Sequence, residues 1–260
     1  MIRWIGLFAG VAAFSLSVAT LANAEIIFES ALMGTSGDNG GQLVAPNECL
    51  AVNFTLTYAT HITAVGGHLG PQGPPDQTIY GAILPLPPGA TYLSGSPFAE
   101  SDVLGHTVIT LPAYSTDVRA PLDLTLAPGH YVLVFGSGRY GATGMGILAQ
   151  YGQAIPGVTP TYSFWSAFNG YWADMGTLPW RFVVEGELVQ PVLVSPMFLP
   201  DGSFSFGVIG SAGRLFDVQE SLDLQIWKTL FSMTGPSGNF SFIFPPSPGI
   251  SKRFFRLQVH

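Results

Sequence analysis

From Glu25 onward, apolar and polar residues alternate in short runs, and clusters of Gly, Pro, Asn and Asp interrupt them. Alternation at period two is the pattern of strands with one packed face and one solvated face. It predicts strands over Cys49–Thr57, His61–Leu69, Thr78–Leu84, Asp102–Leu111, Leu122–Leu126, His130–Phe135, Gly146–Tyr151 and Trp180–Val189. Gly70-Pro71, Pro87-Pro88-Gly89 and Pro128-Gly129 are strong breaks between them. In the last run, Phe182, Val184 and Leu188 share one face, and Arg181, Glu185 and Glu187 share the other. That division fits an antiparallel sheet with one wet face. No window of about 12 residues carries a helical stripe. Many short strands without intervening helices predict an all-β fold, an antiparallel, jelly-roll-like β-sandwich over residues 25–189.

The texture shifts after Gln190-Pro191, which places a boundary there and a second domain over residues 190–260. Strands are expected at Ser203–Ile209, Leu215–Glu220, Trp227–Met233, Asn239–Phe244 and Phe254–Val259, with Trp227 as the core anchor. Five or six strands in about 70 residues fit a small Ig- or fibronectin III-like β-sandwich.

Residues 1–24 read differently. Arg3 precedes the apolar run Trp4–Leu21, and Ala22-Asn23-Ala24 has the A-x-A form of a cleavage site. A secretory signal peptide is predicted, with cleavage after Ala24 and a secreted or periplasmic destination. The competing reading, a retained membrane helix, lacks a cationic stop-transfer patch, because the next basic residue after Arg3 is Arg119.

Composition narrows the function classes. Charged residues make up 10% of the chain, against about 25% in an average soluble protein. Aromatic residues reach 13%, so the chain opposes the signature of disorder. Nine Lys and Arg residues without a cluster, at net charge −7, argue against nucleic acid as a partner. The 32 glycines and 21 prolines exclude a coiled coil or helical repeat. The single cysteine, Cys49, forms no internal disulfide and reads as a buried small hydrophobe, with no cation nearby to activate it.

Three segments carry a resemblance. Phe216-Asp-Val-Gln-Glu-Ser221, Leu222-Asp-Leu-Gln-Ile-Trp227 and Arg253-Phe-Phe-Arg256 resemble the small β-sandwich module that ends many secreted and surface bacterial proteins. Ile62–Leu69, Leu126–Gly136 and Arg181–Gly186 are similar to segments of uncharacterised exported bacterial β-proteins. The resemblance implies an exported accessory or surface-associated protein and assigns no catalytic residue. Some such proteins carry a C-terminal sorting tail, and Arg256-Leu-Gln-Val-His260 does not match one.

Candidate chemistry is sparse. Gly136-Ser-Gly138-Arg-Tyr-Gly141 spells G-x-G-x-x-G, but Gly144 and Gly146 follow where a dinucleotide site needs a helix, so a loop is expected. No H-x-H pair occurs among His61, His68, His106, His130 and His260, and no metal or cofactor is predicted. Asp38-Asn-Gly-Gly41 and Asp201-Gly202 read as turns rather than calcium loops. Glu185 and Glu187 lie on one strand face, which is an awkward geometry for flanking a glycosidic bond.

The most unusual composition is Tyr162–Trp172 followed by Trp180. Tyr171, Trp172 and Trp180 are the candidate ligand-binding rings, with Tyr171 and Trp172 beside the Asn169-Gly170 turn. The leading expectation is a non-enzymatic exported binding or structural protein that recognises extracellular glycan or a cell-surface component. The alternative is an extracellular hydrolase whose acids, among them Asp102, Glu185 and Glu187, converge from different strands. A third reading, a subunit of a surface assembly, predicts concentration-dependent association.

Overall fold

A computed structural model describes residues 24–37, 40–74, 76–150, 152–176, 178–209, 212–236, 240–246 and 252–260. The predicted signal peptide, Ala24 apart, lies outside these residues, as do Asp38, Asn39, Tyr151 and Asn239 of the predicted turns and strands. The chain divides into two compact units that meet between Leu188 and Val189. Both are built from antiparallel strands, so the fold is all-β, and the described residues contain one short 3-10 turn, Glu100–Asp102, and no α-helix.

The first unit holds β1 (Glu25–Glu29), β2 (Gly41–Val44), β3 (Glu48–Leu56), β4 (Thr60–Pro71), β5 (Thr78–Pro85) and β6 (Gly105–Thr110). It continues with β7 (Thr116–Leu126), β8 (Gly129–Gly136), β9 (Gly146–Ala149), β10 (Tyr162–Ser166), β11 (Trp172–Asp174) and β12 (Phe182–Leu188). Sheet I runs β1-β12-β4-β9-β2, with β7 also paired to β4, and sheet II runs β11-β10-β3-β8-β5-β6.

Alternation explains which side chains meet. Ile62, Val65, Leu122, Phe182 and Val184 from sheet I share one core with Leu50, Val52, Ile79, Leu133 and Phe135 from sheet II. The opposite face of sheet II is covered too. Cys49, Ala51, Tyr80, Val132 and Val134 pack there with Phe98 and with Leu86, Tyr92, Leu93 and Val103 of the β5–β6 connection. Sheet II is therefore apolar on both faces, which is why β3, β5 and β8 read as near-continuous hydrophobic runs. Sheet I is not: its other face carries the charged residues of β7 and β12.

Two predicted strands change extent. The Asp102–Leu111 run starts at Gly105, because Glu100–Asp102 closes a 3-10 turn. The Leu122–Leu126 run extends back to Thr116 through Pro121, a residue normally read as a break. Pro121 lies opposite Ala64, where the β4–β7 register shifts, and a bulge is one of the few places a sheet accepts proline.

The second unit holds β13 (Val192–Phe198), β14 (Phe204–Ile209), β15 (Leu215–Ser221), β16 (Lys228–Thr234), β17 (Phe240–Phe244) and β18 (Phe254–Val259). They form two three-stranded sheets, β13-β14-β17 (sheet III) and β16-β15-β18 (sheet IV). Phe206, Val208, Phe216 and Val218 are its buried centre, ringed by Phe204, Phe240, Phe242, Phe244 and Phe255. Trp227 is not the core anchor that its size predicts. It is half-buried outside this cluster, with the Arg256 guanidinium 4.3 Å above its ring and its indole N–H donating to the Leu224 carbonyl. A phenylalanine cluster fills the space instead.

Candidate functional site

The β10–β11 hairpin is anchored by two tryptophans. Trp165 and Trp172 sit opposite one another in the register, and both rings pack into the second core of the unit. The Trp172 indole N–H donates to the Pro97 carbonyl at 2.7 Å, fixing the ring beneath the β5–β6 connection. The loop beyond them is equally held. Ala167 N–H donates to the Asn47 carbonyl at 2.9 Å, and Gly170 N–H to the Ser166 carbonyl at 2.9 Å. The Ser166 hydroxyl accepts from Asn169 N–H, and Gly170 takes φ +73°, which favours glycine. This pinned loop presents two rings to solvent, Phe168 at 97% exposure and Tyr171 at 61%.

Among the three predicted rings, Tyr171 alone reaches the surface. Trp172 is 7% exposed and Trp180 1%, so a stacking platform built on those two does not form. The reason is the layering. Trp172 is on β11, in a sheet covered on both faces, and Trp180 precedes β12 and packs in the core between the two sheets. Trp180 lies edge-on to Tyr162, ring centres 5.5 Å apart, and its carbonyl accepts from the Tyr162 and Ser30 hydroxyls. Burial pushes the Tyr162 phenol up to about 12. Phe168 is the ring that sequence reasoning missed. Its position two residues before Gly170 was the available signal, because alternation stops where the turn begins.

The wet face of sheet I carries an ion-pair network. Arg181, itself buried, donates to Glu29 at 2.5 Å and to Asp117. Arg119 bridges Asp117 at 2.5 Å and Glu185 at 2.6 Å. These bonds tie β1, β7 and β12 together. Losing one partner of such a set leaves a charge unmatched, which is the costly outcome. Glu185 and Glu187, the acids of the hydrolase reading, are each engaged within this sheet. Asp102 lies on the 3-10 turn before β6, an element of the other sheet, so the structure does not bring it together with them.

His61 sits between Asp123 (2.8 Å from Nε2) and Glu187 (3.3 Å from Nδ1), at a shallow depression of about 360 Å³ lined also by Thr63, Pro121 and Leu122. An imidazole with a carboxylate at each nitrogen satisfies both only as the doubly protonated donor. The hydrogen bonds to Asp123 and then Glu187 accordingly raise its pKa above the ordinary value of 6.5. The folded chain then holds this proton more tightly than the unfolded chain does. Its contribution is complete below about pH 6.5 and fades as pH climbs through the raised value. Asp123 is exposed, so the effect is modest, about 0.5 kcal/mol. We expect the urea midpoint of the native chain to fall further between pH 6 and pH 8 than that of His61→Gln. Equal slopes would show that the cluster does not couple to folding.

Residues 136–141 form a turn after β8, with Gly138, Tyr140 and Gly141 all at positive φ and no helix following. Arg139 closes it, donating to the Phe98 carbonyl at 3.1 Å with its guanidinium 4.7 Å from the Phe98 ring centre. Cys49 is buried against the Tyr80 hydroxyl at 3.4 Å. Burial pushes its thiol up to about 11, so it stays protonated and unreactive at neutral pH. Among the described residues, no group of three or more His, Cys, Asp and Glu side chains is placed to hold a metal, and no helix is long and apolar enough to cross a membrane.

Comparison with protein-family models, with curated proteins and with solved structures gave no match. The functional reading therefore stands on the residues themselves.

Proposed function

We propose that the chain is an exported, non-enzymatic binding or structural protein that recognises extracellular glycan or a cell-surface component through the β10–β11 tip. In this reading, each unit is a β-sandwich, the second of Ig or fibronectin III type. The observation that carries it is Phe168, a large apolar ring left almost wholly in water on a loop whose backbone is hydrogen-bonded in place. A floppy loop would lose conformational entropy on binding, whereas a pinned one keeps its rings oriented beforehand. Phe168 and Tyr171 offer flat apolar faces beside a phenolic hydroxyl, a combination suited to sugar rings and to protein anchors alike. The export reading is supported by the Arg3, apolar run and A-x-A order of residues 1–24. Screening the chain on a glycan array and on insoluble polysaccharides tests the proposal. Retention that drops with Phe168→Ala is the expected outcome, and the absence of any retained glycan or surface component would count against it.

A further inference from the structure

The two sheets of the second unit differ in charge. Sheet IV carries Asp217, Glu220, Lys228 and Arg256, and Asp217 bonds Ser232 and His260 across its outer face. Sheet III carries no ionisable residue in any of its three strands.

Edge strands expose unpaired N–H and C=O groups, and proteins commonly blunt them with charge, proline or a bulge. Three of the four edges in this unit show such a device. β13 has Pro196 and a bulge between Val194 and Met197, with Ser195 at φ +51°. β16 carries Lys228 and a register shift, and β18 carries Arg256. β17 has none of these within Phe240–Phe244, and Pro245-Pro246 end it. Phe-Ser-Phe-Ile-Phe pairs with β14 in unbroken register and has no other sheet partner among the described residues.

Phe240, Phe242 and Phe244 belong to the rim of the phenylalanine cluster and are half-buried, as are its members on β16 and β18, while Phe206 and Phe216 are fully buried. On the outer side, Ile243 is 63% exposed. It flanks Ser205 of β14, with the exposed Met197 of β13 on the far side, in an uncharged row across the sheet.

We infer that β17 is a self-association edge, and that a second copy of this chain adds its own β17 antiparallel to it. The two copies then share one six-stranded sheet across a two-fold axis. The edge is its own complement. An antiparallel pair centred on Phe242 sets Ser241 of one copy opposite Ile243 of the other, so each aliphatic side chain faces a small one. The three strands of sheet III carry no charge, so two copies approach there without like-charge repulsion from the paired strands. A five-residue seam buries less than the roughly 800 Å² per partner of a stable interface, so the dimer is weak and concentration-dependent.

Light scattering on the full chain across about 1 to 300 µM tests this, a range set by the small seam. The average mass is expected to rise from one copy toward two, and Ile243→Lys is expected to stay at one copy with an unchanged thermal midpoint. Ile243 is exposed, so this variant folds. The control Thr234→Lys, on β16, is expected to dimerise like the native chain. A native chain that stays monomeric throughout, an Ile243→Lys variant that still dimerises, or an equal loss in Thr234→Lys would each overturn the inference.

Discussion

Gly66→Ala is expected to lower the stability of the first unit by about 3 kcal/mol or more. A Cβ built on Gly66 falls 1.8 Å from the Val118 carbonyl oxygen and 2.8 Å from its carbon. Both are backbone atoms of β7, so no side chain can rotate away to relieve the overlap. β4 is also the most connected strand of sheet I, paired with β12, β7 and β9. Relief requires β4 and β7 to separate, which breaks their ladder and opens the core beneath Ile62 and Val65. For a unit of this size, a loss of that order corresponds to roughly 6–12 °C in the unfolding midpoint. Thermal unfolding followed by near-UV circular dichroism measures it. Gly170→Ala is the informative comparison, because its Cβ meets no atom within 4 Å and only its positive φ resists the change. That strain is worth about 1–2 kcal/mol. A Gly66→Ala midpoint no lower than that of Gly170→Ala would contradict the register between β4 and β7.

Trp180→Ala and Tyr171→Ala are expected to separate two roles that the sequence assigns to one aromatic cluster. Trp180 is among the largest fully buried side chains and packs against Tyr162, so its removal leaves a cavity costing about 3–5 kcal/mol. Tyr171 is mostly in water, and its truncation is expected to change stability by less than about 0.5 kcal/mol. Urea unfolding of the three proteins, native and two variants, reads both numbers. Comparable losses would mean that the tip is part of the fold's core rather than a presented surface.

Much of the fold was legible because β3, β5, β8 and β12 announce themselves through β-branched and aromatic residues between strong breakers. The misreadings have physical causes. The strand expected at Leu122–Leu126 stops short of Pro121, although a bulge accommodates that residue. The strands of the aromatic stretch gave no hint that both of their faces would be covered, because covering comes from the β5–β6 connection, distant in sequence. That covering buries Trp172, while Trp180 is buried between the sheets beside Tyr162 and Phe182, so neither is the surface ring that composition alone suggests. The size of Trp227 points to the core, while Arg256, 29 positions further along, holds it at the edge. The ion pairs of Arg119 and Arg181 are equally invisible in one dimension, since each depends on the register between strands far apart in the chain. Cys49 shows the opposite case. A lone thiol at the start of an apolar strand already reads as buried, and its burial is observed; Arg139, 90 positions further along, lowers its pKa, but burial outweighs that effect.

The most direct test is binding by the Phe168→Ala/Tyr171→Ala double variant, measured against the glycan or surface component that retains the native chain. Both rings project from a loop whose bonds run through backbone atoms and Ser166, so the variant keeps its fold and its unfolding midpoint. Loss of a central anchor typically weakens binding by about 2 kcal/mol, near 30-fold. The double variant is expected to lose at least that much affinity with an unchanged midpoint. Native affinity in the double variant would contradict the placement of the binding surface at the β10–β11 tip.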